Sequence, residues 1–353
     1  NYMNQSRKQT ENYREGVYNY VKTGEQKHEY GTNSTAATIH FGNISASYEI
    51  DSLNLLTAST TFLGYKADAN AQSTNERWDK NSQLIYKFDN NMTTPGYSHL
   101  NIGGRLDYQH KTHLDGEILT LSYMLAATRQ HSIFRQMYNN MVNFPVNYTS
   151  YDQNTRERFT EHTFQIDYVR PFGKHHKIES GTKYILRYNN STSLMDYQGT
   201  TPDMESKFKH NAQVAAAYLS YIFTAGKWAA RAGLRYEFTR MKASYPDGSN
   251  ADYHANLNDW VPSASLQYKI SDSQTLKFSY NTSINRPGIG YLNPAIISTP
   301  TAVSFGNANL GSSRNQKLQL VYMLVTSKFT LQLSPYYSFT NNGIGRILYE
   351  QNR

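Results

Sequence analysis

Alternation with a period of two runs through most of this 353-residue chain and constrains its fold more than any other feature. Over residues 329–339 one face carries Phe329, Leu331, Leu333, Pro335, Tyr337 and Phe339, and the other carries Thr330, Gln332, Ser334, Tyr336 and Ser338. The same reading puts Leu318, Leu320, Tyr322 and Leu324 on one side, Leu276, Phe278 and Tyr280 opposite Lys277 and Ser279, and Leu234, Tyr236 and Phe238 opposite Arg235, Glu237 and Thr239. Phe164, Ile166 and Tyr168 alternate with Gln165 and Asp167, and Leu100, Ile102, Leu106 and Tyr108 face away from Arg105 and Asp107. No window reads as an amphipathic helix, and no apolar run is long enough for a membrane-crossing helix.

The connections alternate too. Short polar turns begin at 51, 110, 171, 225, 271 and 326, and long polar stretches lie between them at 67–97, 131–158, 193–207, 244–257 and 286–314. Twelve strands of 11–16 residues are readable from about 36 to 340, as a hairpin repeated at least five times. Residues 1–35 lack the alternation and read as an irregular loop or partial strand, with a single domain over 36–353. The chain opens at Asn1 without Met and stops at Arg353 in mid-pattern, so it is expected to be part of a longer polypeptide.

Strands of this length suit a tilted crossing of a hydrocarbon layer, which takes about 9–11 residues. In lipid every backbone polar group must be paired within the protein, so a spanning sheet has to close. Dyad alternation, short turns at one end and long loops at the other are what closure looks like in sequence. The expectation is an all-β, antiparallel transmembrane β-barrel in the outer membrane, in contact with its lipid, with short periplasmic turns and 12–14 strands in this chain. The alternative is a soluble β-sandwich or solenoid with a wet outer face; its shorter strands and unsegregated turns count against it. The 30 Tyr suit an interfacial girdle, because a phenol buries its ring and keeps its hydroxyl wet. There is no cysteine, which excludes disulfides, a thiol nucleophile and a Cys-held metal. The net charge of +8 is spread rather than clustered, so nucleic acid is not an expected partner.

Several stretches resemble the Bacteroidetes outer-membrane β-barrel family related to TonB-dependent receptors. They are Phe164-Gln-Ile-Asp-Tyr-Val-Arg-Pro-Phe-Gly173 with the strand to Tyr184, Gly226 to Phe238, Val261-Pro-Ser-Ala-Ser-Leu-Gln-Tyr268, Asn285-Arg-Pro287 with Leu292-Asn-Pro294, and Gly306-Asn-Ala-Asn-Leu310. Ala308 stands where the family usually has Pro, and Gly311-Ser-Ser313 where it has a Lys-Pro-Glu-like run. The resemblance is strongest over 159–342 and implies a barrel of about 22 strands. It also implies nutrient uptake, a plug domain in the same full-length chain, a TonB-type energising partner and a surface lipoprotein partner. A non-transporting barrel, serving as a structural or assembly component or as an adhesin-like display platform, is the other reading.

The face opposite the apolar one carries the candidate solute-facing residues: Arg105, Asp107, Asp167, Glu179, Lys183, Arg187, Arg231, Arg235 and Glu237. They either steer a charged solute or form cross-strand ion-pair ladders. Arg286, Pro287, Asn293 and Pro294 open the longest loop of the C-terminal half, which either folds over the lumen or simply sets turns. Gly288-Ile-Gly290 precedes no helix pattern and no phosphate-binding Lys. His110, His113, His175 and His176 sit in turns without the one-face spacing of a metal site, and no metal or cofactor is expected. The carboxylates fall on separate strands and no Gly-x-Ser-x-Gly elbow is present, so no enzymatic activity is expected.

Overall fold

The computed structural model describes residues 2–144, 146–249, 251–292, 297–299, 302–307 and 309–347. Eleven strands follow one another along the chain: β1 (Tyr2–Tyr20), β2 (Glu25–Asp51), β3 (Asn54–Trp78), β4 (Leu84–Lys111), β5 (Ile118–Val142), β6 (Tyr148–Phe172), β7 (His176–Gly199), β8 (Met204–Ala225), β9 (Trp228–Ser244), β10 (Tyr253–Ser271) and β11 (Gln274–Asn285). A helical turn α1 (Ile289–Leu292) and a small hairpin, β12 (Ile297–Thr299) and β13 (Ala302–Ser304), occupy the next connection. The chain returns as β14 (Ser313–Val325), β15 (Thr330–Leu333) and β16 (Tyr336–Asn341). All but β12 and β13 form one 14-stranded antiparallel sheet, in which each strand up to β11 pairs with its sequence neighbours and β14 follows β11. Among the described residues no ladder joins β1 to β15 or β16.

The turns match the alternation of connections. Asp51 accepts the backbone N–H of Leu53 and the side-chain amide of Asn54, both at 2.8 Å, and so closes the β2–β3 turn. Gly226 closes the β8–β9 turn at φ +53°, a conformation that favours glycine.

Three expectations are corrected. Residues 1–35, expected as an irregular loop or partial strand, are strand over most of their length: β1 pairs with β2 from Tyr2↔Gly42 to Tyr20↔Glu25, with one register shift. The long polar stretches at 67–97, 131–158 and 193–207 are not loops either. They are continuations of strands that reach 28 residues in β4, and the chain reverses over only a few residues near 79–83, 143–147 and 200–203. At about 3.3 Å per residue and a tilt of about 40°, β4 rises some 70 Å, far above an apolar band of about 25 Å. The 329–339 strand is broken at Ser334-Pro335, where proline cannot donate to the ladder; both pieces, β15 and β16, pair with β14 on the sheet's edge.

One sheet with no second layer leaves the apolar face open. Leu219, Leu234, Trp260, Leu333 and Tyr337 are all exposed there, so the apolar side is not packed against another sheet as in a sandwich. Aromatic rings ring this face near the short turns, with Trp228 over Tyr268 at 4.4 Å and Phe172, Tyr221 and Phe223 around His176. The opposite face is crowded instead: Ala212, Val214, Ala216, Glu237, Thr239, Met241 and Ala243 are buried. Leu292 and Leu310, from the two described ends of the connection after β11, pack over Ala212 and Met241 and account for part of that burial.

Candidate functional site

The charged face is the candidate site, and the period of two places its residues. Eight of the nine sequence-derived lumenal residues are bonded to neighbours on it. Arg105 Nε donates to Asp107 at 2.6 Å, and Asp107 accepts Ser122 from β5. Asp167 accepts Gln165 at 2.8 Å. Glu179 on β7 reaches Arg231 on β9 at 2.7 Å and Lys177 at 3.0 Å. Ser220 on β8 lies between and is small enough to be spanned. Arg187 pairs with Glu161 at 2.5 Å and Arg235 with Glu237. Lys183 has no carboxylate within ion-pair range among the described residues. It lines a depression of about 340 Å³ with Arg105, Glu161, Ser59 and Thr61. Glu161 was missed in the sequence, although extending the Gln165, Asp167 alternation by four residues reaches it.

The two described ends of the connection after β11, 286–292 and 309–312, lie on this face. Arg286 donates to Glu237, which therefore holds two guanidiniums. Leu292, fully buried, packs on Ala212 of β8 and Met241 of β9, with Leu257 and Leu310 beside it. Asp259 of β10, directly opposite Glu237 in the ladder, accepts Ser312 Oγ at 2.7 Å and lies 3.7 Å from Arg314. Two carboxylates thus converge here, contrary to their expected separation, but each is occupied by arginine or hydroxyl donors. Asp259 and Arg314 were missed; Asp259 was legible as the residue opposite Trp260 in the strand's alternation. Pro287 is buried at the start of the connection. Asn293 and Pro294 lie outside the described residues.

Beyond the apolar band the same face carries aromatic rings. The residues at 94–97 of β4 hold one residue more than the partner strand and Gly96 at φ +63°. The extra residue swaps the faces of β4 above it, and Phe88 comes to the charged side. There it meets Phe144 at 4.1 Å and Tyr138 at 5.6 Å, while Tyr148 lies 4.9 Å from Tyr197 and Tyr151 5.6 Å from Tyr197. Burial, with the neighbouring phenols, pushes the Tyr151 hydroxyl up to about 12 and that of Tyr138 upward too. The turn histidines make structural bonds: His110 to Asn54 at 2.8 Å, His175 to the Thr224 carbonyl at 2.8 Å and His176 to the Tyr221 hydroxyl at 2.6 Å.

The family model described as outer membrane protein beta-barrel family matches residues 110–353. A comparison with curated proteins finds no match. Among solved structures, the ferric-catecholate import receptor Fiu from E. coli K12 is similar with a TM-score of 0.52 at 7% identity, over 95% of this chain and 57% of that one. The siderophore receptor PiuA from Acinetobacter baumannii gives 0.49 at 10% identity, over 93% and 56%. The ferric yersiniabactin uptake receptor FyuA from Yersinia pestis gives 0.49 at 11%, over 96% and 54%. The chain spans about half the length of the solved structures it matches. The long antiparallel strands, the lipid-suited apolar face and the family match over 110–353 place this chain in the outer membrane protein β-barrel family, in the bacterial outer membrane.

Proposed function

We propose that this barrel is the conducting wall of a TonB-dependent-type receptor that imports a nutrient, in the Bacteroidetes branch that the quoted motifs resemble, and that it is not an enzyme. The observation that carries the reading is that both described ends of the connection after β11 are seated on the charged face, by Arg286 and Leu292 at one end and Ser312 at the other. A chain segment held against a polar wall by a few side-chain contacts can narrow a passage and yield to a solute. The aromatic surface around Tyr138 and Tyr197 stands where a solute would first arrive, and the paired charges below it offer a polar route. A plug in the same full-length chain would close that route until an inner-membrane partner is energised, and a surface lipoprotein would cover the mouth. The fold shared with an import receptor supports this reading at the level of architecture.

The test is uptake of a labelled solute panel by cells carrying the full-length protein, with and without an uncoupler. Uptake that stops with the uncoupler is expected. Uptake indifferent to it would overturn the energised reading. No uptake, together with capture of a surface partner by the projecting strands, would favour the display platform, which the height of β4 to β6 also suits.

A further inference from the structure

The outward, lipid-facing side of β3 to β8 carries a second cluster that transport does not use. Climbing β5 from the short turn, its outward positions are Leu119, Leu121, Tyr123, Leu125 and Ala127, then Arg129 and His131. On β6 the outward run of Ile166, Phe164, His162 and Thr160 gives way to Arg158 and Arg156. Lys66 joins this row through Ser98, and Lys209 through Asn190. The change from apolar to basic comes eleven residues above the start of β5, about 26 Å at 3.3 Å per residue and a 45° tilt, which is the height of one apolar band.

Two features set this cluster apart from the charged face. Arg129 and Arg158 are directly opposite each other in the ladder, an arrangement that repels. None of Lys66, Arg129, Arg156, Arg158 and Lys209 has a carboxylate within ion-pair distance among the described residues; Glu157, which also borders the groove, stands opposite Gln130 in the ladder and alternates away from the two arginines beside it. On the charged face, by contrast, Arg105, Arg187, Arg231, Arg235 and Arg286 are all paired. Lys66, Arg129, Arg156 and Arg158 border an open groove of about 570 Å³ whose lower wall is Phe62 and Leu100. An apolar floor beneath a row of uncompensated guanidiniums matches a lipid with acyl chains below and phosphate above, since arginine grips phosphate oxygens in pairs.

We propose that this groove binds a phosphorylated lipid headgroup of the outer leaflet. The probe is the full-length protein reconstituted in phosphatidylcholine vesicles, doped either with bis-phosphorylated lipid A or with its dephosphorylated form. Wild-type protein should melt higher only with the phosphorylated lipid, and the detergent-extracted protein should retain that lipid in native mass spectrometry. Arg129→Gln with Arg158→Gln should lower lipid retention about thirtyfold, whereas Arg135→Gln, whose parent arginine already pairs with Asp152, should leave it unchanged. Equal melting in the two vesicle types would overturn the proposal, and this comparison stands even if the double variant fails to fold. Equal protection by inorganic phosphate alone would also overturn it, because the site would then take the ion without the lipid.

Discussion

Leu292 and Glu237 hold the same connection by different physics. Leu292 is fully buried among Ala212 and Met241, so truncation to Ala removes apolar contact and leaves a cavity. Such changes cost about 2–4 kcal/mol. Glu237→Gln strands Arg235 and Arg286 on a crowded wall, and leaving such a charge unpaired costs about 3 kcal/mol. Either variant is expected to speed amide exchange of 288–292 and 309–312 by ten-fold or more (roughly, for about 2 kcal/mol) while leaving β6 and β7 unchanged. Hydrogen exchange with mass readout checks this. Equal speeding across the sheet would mean the contacts support the barrel rather than the connection.

The strand extensions explain what the sequence concealed. Where one face meets lipid, selection for apolar side chains writes a period of two, and β9, with Leu234, Tyr236 and Phe238 outward and Arg235 and Glu237 inward, was legible residue by residue. Above the membrane neither face meets lipid, so Thr74, Asn75 and Glu76 on β3 follow no alternation although their backbone ladder with β4 is intact. The hydrogen bonds continue after the hydropathy signal has stopped, and so 67–97 read as a loop. The charged face was legible as a set of residues, and extending the alternation reaches Glu161 and Asp259, but which of them pair was not, because pairing across strands depends on register. Register emerges only in three dimensions. The aromatic group in the extensions gives a test. A phenol held neutral by burial has its folded pKa above the unfolded one, so its contribution is complete below pH 10.0 and is lost as pH rises toward about 12. An absorbance titration at 295 nm should show Tyr138 and Tyr151 ionising last, with the extensions loosening over the same pH interval. Early ionisation in the Tyr151→Phe difference spectrum would count against a buried cluster.

At the scale of the whole molecule, the three tryptophans report its height in the bilayer. Trp228 begins β9 beside a short turn, and Trp260 sits eleven residues up β10 on the same outward face. Both are exposed, and since Trp228 is level with Tyr268 they lie eight residues apart along the sheet, about 19 Å in height and within one apolar band. Trp78 ends β3 at the far tip, tens of ångströms above the band. In single-tryptophan variants reconstituted with brominated lipids, Trp228 and Trp260 should be quenched and Trp78 should not. Quenching of Trp78 alone would invert the molecule in the membrane.

The extra residue at 94–97 of β4 sets a rule for how such a chain can change in length. Below it, adding or deleting a single residue would turn arginine and aspartate toward acyl chains, so only changes in twos are tolerated. Above it neither side meets acyl chains, and the odd residue exchanges sides without penalty from lipid. Drift in length among relatives of this chain should therefore gather above the level of Gly96, with parity preserved beneath it.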